Sequence, residues 1–400
     1  MPAACEEGTL WSMASTPDQA TARLHPRSGL DELMRVLLAE GYRVVGPVER
    51  EGVVAYDDLA DGDELPTGLH VEQAPGRWRA SHDGSARFGY TPGADSWKQF
   101  VLPAHQEVLR IRRTDGSFVV TQPEPPDRPL AVIGARDCEL RALDVLDRVE
   151  LDPHHPDTRY AARRAGMFVV AVTCGVPAAT CWCTSMGGGP RPVAGYDILL
   201  TEVVGDGPDG HMLVAEAGTD RGQTVLAQLG APDATAQHLA AAATVATDAA
   251  RAMTPRVDGT RLPELLQGCD QDPYWDDVAA RCLSCGNCTM VCPTCFCSTF
   301  DDHTALTHDG SAPLETVRQQ HWASCFQLDH SYLGGHPVRG TTAARYRQWL
   351  THKLQTWAEQ FGTNGCVGCG RCTTWCPAGI DLPHEAAVLA GVIPREGGGG

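Results

Sequence analysis

A chain of 400 residues with a net charge of −18 and 42% apolar residues is too long for one core of ordinary size and has the apolar content of a globular protein. Its acidic balance argues against nucleic acid as a partner, because phosphate contacts need clustered Lys and Arg. No apolar run approaches the length of a bilayer span, and Glu6 and Glu7 stand where a secretory leader would be apolar, so a cytoplasmic protein with no membrane contact is expected.

The first part of the chain reads as α/β. Apolar residues at helical spacing over residues 30–39 predict a helix, with Gly41 as its stop. Residues 42–48, 52–56 and 117–121 read as strands, and Pro123, Pro125, Pro126 and Pro129 make a stiff connection. An apolar run at 130–133 predicts a buried strand, and Asp137 is placed to cap a helix running to Arg148. A short helix at 157–164 leads into a second buried strand at 167–172, and that order predicts a parallel βαβ unit. Residues 196–204 and 211–215 read as an antiparallel pair, and the alanine-rich 238–253 as a helix. Composition changes across 255–271, and most of the seventeen cysteines lie from Cys269 onward. One further helix, 341–361, places Tyr346, Leu350, Leu354, Trp357 and Phe361 on one stripe and ends at Gly362. The predicted architecture is an α/β domain over 1–265 with a partly parallel sheet, then a ferredoxin-like α+β two-cluster module over 266–390. The module carries a helical insertion at 298–365, and 391–400 is a flexible tail.

Cys282, Cys285, Cys288 and Cys292 are spaced C-x2-C-x2-C-x3-C with Pro293 next, and Cys366, Cys369, Cys372 and Cys376 repeat that spacing with Pro377 next. This is the bacterial two-cluster ferredoxin run, in which three cysteines reach one cubane and the fourth ligates the other. The crossed assignment gives one [4Fe–4S] cluster to Cys282, Cys285, Cys288 and Cys376, and the second to Cys366, Cys369, Cys372 and Cys292. Structural zinc competes for clustered cysteines, but it favours separated C-x2-C pairs over two runs of four followed by proline. Gly286, Gly368 and Gly370 let the loops curl and aim amides at sulfur.

Four more cysteines are ordered along the α/β part. Cys138 opens the helix after the first buried strand, where the helix dipole favours thiolate, and Cys174 follows the second strand. Parallel neighbours would bring both to one sheet edge, with Cys181 and Cys183 in the loop that follows. A third iron–sulfur cluster on these four and a set of reduced core thiols are both open readings. The glycine run at 187–189 lacks the lysine of a phosphate-binding loop. Cys295, Cys297 and Cys325 read as structural cysteines around the clusters, and Cys5 and Cys269 gain no role. Neither a dinucleotide fingerprint nor a nucleophile elbow occurs, and no residue is assigned to catalysis.

The stretch Gly134-Ala135-Arg136-Asp137-Cys138-Glu139-Leu140, the segment 174–190 with its Thr180-Cys181-Trp182-Cys183-Thr184-Ser185-Met186-Gly187 core, Cys282 to Cys297, Trp322-Ala323-Ser324-Cys325, and His352-Lys353 through Pro377 carry a likeness. Together they resemble the beta subunit of sulfhydrogenases, the cytosolic NAD(P)-linked [NiFe] hydrogenases, and the related A subunit of anaerobic sulfite reductase. The resemblance covers residues 130–385. It implies an electron wire between the hydrogenase small and large subunits and a flavin subunit that holds FAD and handles NAD(P). It also favours a shared cluster role for Cys138, Cys174, Cys181 and Cys183. Two alternatives stand beside it: the equivalent subunit of a sulfite reductase, with a sirohaem partner, and a stand-alone redox enzyme whose site lies in the α/β domain.

Overall fold

Four parallel strands, Arg43–Arg50, Leu130–Ala135, Phe168–Val172 and Ile198–Val204, form the middle of a seven-stranded mixed sheet. Val53–Asp58 closes one edge antiparallel, and His211–Ala217 with Thr21–Leu24 closes the other. The computed structural model describes residues 20–114, 116–205, 210–254, 256–304 and 315–395. Leu130–Ala135 and Phe168–Val172 are buried at every position, as expected of parallel strands covered on both faces. Helices Ser28–Ala39 and Asp220–Gln228 cover one face through Leu30, Leu33, Leu37 and Val225. Helices Asp137–Glu150 and Thr158–Arg164 cover the other through Leu140, Leu143, Leu146 and Tyr160. The strand, helix and strand expected from Leu130 onward thus form a parallel unit. Asp137 is not its cap, however. It is the first residue of the helix, Arg136 holds the cap position, and the Asp137 carboxylate accepts the Gly189 amide at 3.1 Å instead.

A second sheet joins distant parts of the chain. Ser298–Thr304 and Glu315–Trp322, from the segment between the two cysteine runs, extend His105–Thr114 and Ser117–Thr121 into four antiparallel strands. The Gln106 amide donates to Gln320 Oε1 at 2.8 Å inside this sheet. The insertion between the runs is therefore bonded to the N-terminal half.

The helix of that insertion runs as Thr342–Thr351, a π turn at His352–Thr356, and Trp357–Phe361, ending at a left-handed Gly362. Tyr346, Trp349, Leu350 and Leu354 pack with Leu262, Trp275, Val278, Phe326 and Leu382 into a separate C-terminal core. Past it, Arg395 donates to Asp272 at 2.6 Å, which fastens residues 391–395; the remainder of the expected tail, 396–400, lies outside the described residues. Among the described residues no helix is long and apolar enough to cross a membrane. Leu350 is fully buried at the centre of the C-terminal core. Leu350→Ala is expected to cost about 2–5 kcal/mol, read as a lower melting temperature of the full chain under anaerobic conditions.

Candidate metal centre

Both cysteine runs turn through a left-handed glycine into a four-residue helix, Gly286 before Asn287–Met290 and Gly370 before Arg371–Thr374. Cys282, Cys285, Cys288 and Cys376 line one cavity, with Cys372 at its wall and Phe326, Tyr346, Trp349 and Ile380 around them. Backbone amides of Ser284 and Ile380 point at the sulfurs of Cys282 and Cys376, each at 3.4 Å. Cys292 leaves this group. The Thr294 hydroxyl donates to the Gly365 carbonyl at 2.6 Å, which pins the end of the first run to the start of the second. There Cys292 is an electrostatic neighbour of Cys366 and Cys372, and Cys369 neighbours the same two.

Cys138, Cys174, Cys181 and Cys183 line a third space together, with Gln73, Arg136, Asp137 and, from the second run, Cys369. Cys138 and Cys174 reach it from the C-terminal ends of adjacent parallel strands, while the 180–183 loop folds over them and docks on the second run. The Trp182 amide donates to the Gly368 carbonyl at 2.9 Å, and the hydroxyls of Thr180 and Thr374 bond at 2.8 Å. A Cβ at Gly368 would lie 2.6 Å from the Cys183 nitrogen, and one at Gly370 would lie 2.4 Å from the Thr180 carbonyl oxygen. Both also have positive φ, 72° and 73°, so close approach and backbone conformation demand glycine twice over. Burial pushes the thiols of Cys138 and Cys181 up, and that of Cys183 up to about 12. Ligation here must therefore displace protons.

Two features went unread in the sequence. The first is Glu139, only 1% exposed, whose carboxylate takes four donors. Tyr56 Oη and Arg371 Nη2 reach Oε1 at 2.8 Å each, and Trp97 Nε1 and the Arg136 amide reach Oε2 at 3.2 and 3.1 Å. The second is lysine. Lys98 and Lys353 are the sole lysines of the chain, every other basic side chain being arginine, and both are 2% exposed. Lys98 Nζ donates to the carbonyls of Cys292 and Cys295 at 3.0 Å each and sits 3.6 Å over the Trp322 ring. Lys353 Nζ, from the π turn, donates to Thr294 Oγ1 at 2.8 Å and to the Gly365 carbonyl at 2.9 Å. The signal was compositional: a residue type this rare, which only folding brings beside the cysteine runs.

These surroundings fit an anionic iron–sulfur centre. Among the described residues neither lysine has a carboxylate within ion-pair distance, and an uncompensated buried ammonium is costly. A set of cluster-bound thiolates would supply the missing charge. A hydrogen bond from the Cys295 thiol pulls Cys292 below the usual thiol range, and the Lys353 ammonium acts the same way. Around the Cys282 set, Tyr346 Oη and Trp349 Nε1 are buried donors with no acceptor.

Comparison with known proteins agrees with this geometry. Residues 281–380 match the 4Fe-4S dicluster domain. The chain is also 27% identical over 347 residues to the sulfhydrogenase 2 subunit beta of Pyrococcus furiosus, spanning 86% of this chain and 91% of that protein. The likeness to a sulfhydrogenase beta subunit therefore extends through most of the chain, and its iron–sulfur character is shown.

Glu139→Gln leaves the Arg371 guanidinium, 3% exposed, without its countercharge. The expected loss is about 3–5 kcal/mol, and Glu139→Leu combined with Arg371→Leu should be less destabilised than either single change. Thermal melts of the three variants check both statements.

Proposed function

We propose that this chain relays electrons between a [NiFe] hydrogenase module and a subunit that carries FAD and reacts with NAD(P). Its ferredoxin-like module would hold two [4Fe–4S] clusters on the crossed cysteine sets, and Cys138, Cys174, Cys181 and Cys183 would hold a third. One observation carries the reading: the second cysteine run touches both other cysteine sites. Cys372 lines the space of the Cys282 set, and Cys369 lines the space of the Cys138 set. Three centres would then stand in series with shared walls, which is the geometry of a wire.

Bound [4Fe–4S] clusters supply one-electron chemistry over a wide range of potentials. The chain supplies the rest. Trp182, Trp349 and Tyr346 keep water from the sulfurs, and the loop amides orient them. Cys285 is the one exposed cysteine among the described residues, and Leu283 beside it is 67% exposed. A redox partner would approach at this end, and the α/β end would face the other partner.

Iron and acid-labile sulfide in the full chain, purified anaerobically, should correspond to three cubanes. Cys181→Ala should remove the third alone, whereas Cys292→Ala should damage the centre of Cys366, Cys369 and Cys372. Two cubanes in the unaltered chain would eliminate the third centre, and a colourless zinc-loaded chain would eliminate the whole reading. A tagged copy recovered from its own cells should carry [NiFe] subunits and an FAD subunit with it; a sirohaem subunit in their place would assign it to a sulfite reductase.

A further inference from the structure

The two cysteine centres of the C-terminal half lie in different electrostatic surroundings. Lys98 and Lys353 lie at the Cys292 end of one centre, both nearly inaccessible and, among the described residues, both without a carboxylate partner. Arg371, next to Cys372, adds little net charge, because Glu139 neutralises it at 2.8 Å. Among the described residues the buried cation beside the Cys282 centre is Arg345, whose guanidinium spreads its charge and donates to Ser284 Oγ at 3.2 Å. Its other walls are apolar or aromatic. Tyr346 and Trp349 offer only neutral dipoles, and a dipole's field falls faster with distance than that of a full charge.

We infer that Lys98 and Lys353 set the inner centre, on Cys292, Cys366, Cys369 and Cys372, at a higher reduction potential than the outer centre on the Cys282 set. The inference rests on the cluster reading above. Reduction adds one electron and one negative charge, with no bond made or broken. Two compact ammonium charges in a low-dielectric site favour that added charge more than one guanidinium beside a solvent-reached loop. An electron delivered by a partner's low-potential centre at Cys285 then passes inward, the outer centre being oxidised by one electron as the inner is reduced by one. The lysines act through the cysteine set and are positioning residues for charge.

The experiment is a dithionite titration of the full, cluster-loaded chain followed by electron paramagnetic resonance. Iron and sulfide content is measured first, so failure to load two C-terminal clusters is recorded as failure of the cluster reading and not of this one. Cys285→Ser identifies the outer signal by altering it. In the unaltered chain the inner signal should appear at the higher potential. Lys353→Met and Lys98→Met should each lower the inner potential, shifting the electron distribution between the centres about tenfold, or 59 mV for one electron, while the outer potential stays in place. An inner potential below the outer, an unmoved inner potential in loaded variants, or an equal shift of both centres would overturn the inference. If neither lysine variant loads, the order in the unaltered chain still decides it.

Discussion

The Glu139 carboxylate is the joint on which the rest depends. It sits in the first turn of the helix that carries Cys138; one of its four donors is the amide at the start of that helix, and the other three come from separate parts of the chain. Tyr56 belongs to an edge strand of the main sheet, Trp97 to the segment before Lys98, and Arg371 to the second cysteine run. Arg371 also donates to the carbonyls of Gly93 and Asp95 at 3.1 and 3.2 Å. A buried ion pair is weak evidence for net stability, since desolvation offsets much of the attraction. It is strong as a register device, because any slip leaves a charge unpaired in the interior. Here the register it fixes is that of the cysteine run against the sheet edge bearing Cys138 and Cys174.

The same logic explains the lysines. A chain with net charge −18 that is to enclose anionic centres needs positive charge inside, not on its surface. Arginines such as Arg43, Arg50 and Arg318 cannot supply it, since they are already paired with surface carboxylates. An ammonium is compact and can sit among two or three carbonyl and hydroxyl oxygens where a planar guanidinium would not fit. The π turn at His352–Thr356 contributes by placing Lys353 under the Thr294 and Gly365 oxygens, and such turns recur at functional sites.

What the sequence disclosed followed from how local each signal was. The ferredoxin runs were legible because ligand spacing in a tight loop is a local property. Buried strands at Leu130 and Phe168 were legible because both faces are covered and every position is apolar. His105–Thr114 was not, since its run of His, Gln, Glu and Arg belongs to a half-exposed strand stabilised by partners more than two hundred residues away. For the same reason the insertion looked like a helix added to a small domain, although two of its strands complete an N-terminal sheet. Glu139 and the lysines were illegible for a related cause. Each acquires its role from groups brought to it only by the finished fold.

The second cysteine run shows why an ordinary ferredoxin spacing serves in a larger protein. Besides facing one another, the three cysteines of this curled loop each border a different neighbour. Cys366 borders the surface hollow lined by Arg141 and Asn364, Cys369 borders the space of the N-terminal cysteines, and Cys372 borders the Cys282 set. The loop could not approach the Thr180–Cys183 segment so closely if Gly368 or Gly370 carried a side chain. Two absent methyl groups therefore do what an added domain interface would otherwise have to do: they bring the backbone of the ferredoxin run into direct hydrogen bonding with the loop that carries Cys181 and Cys183.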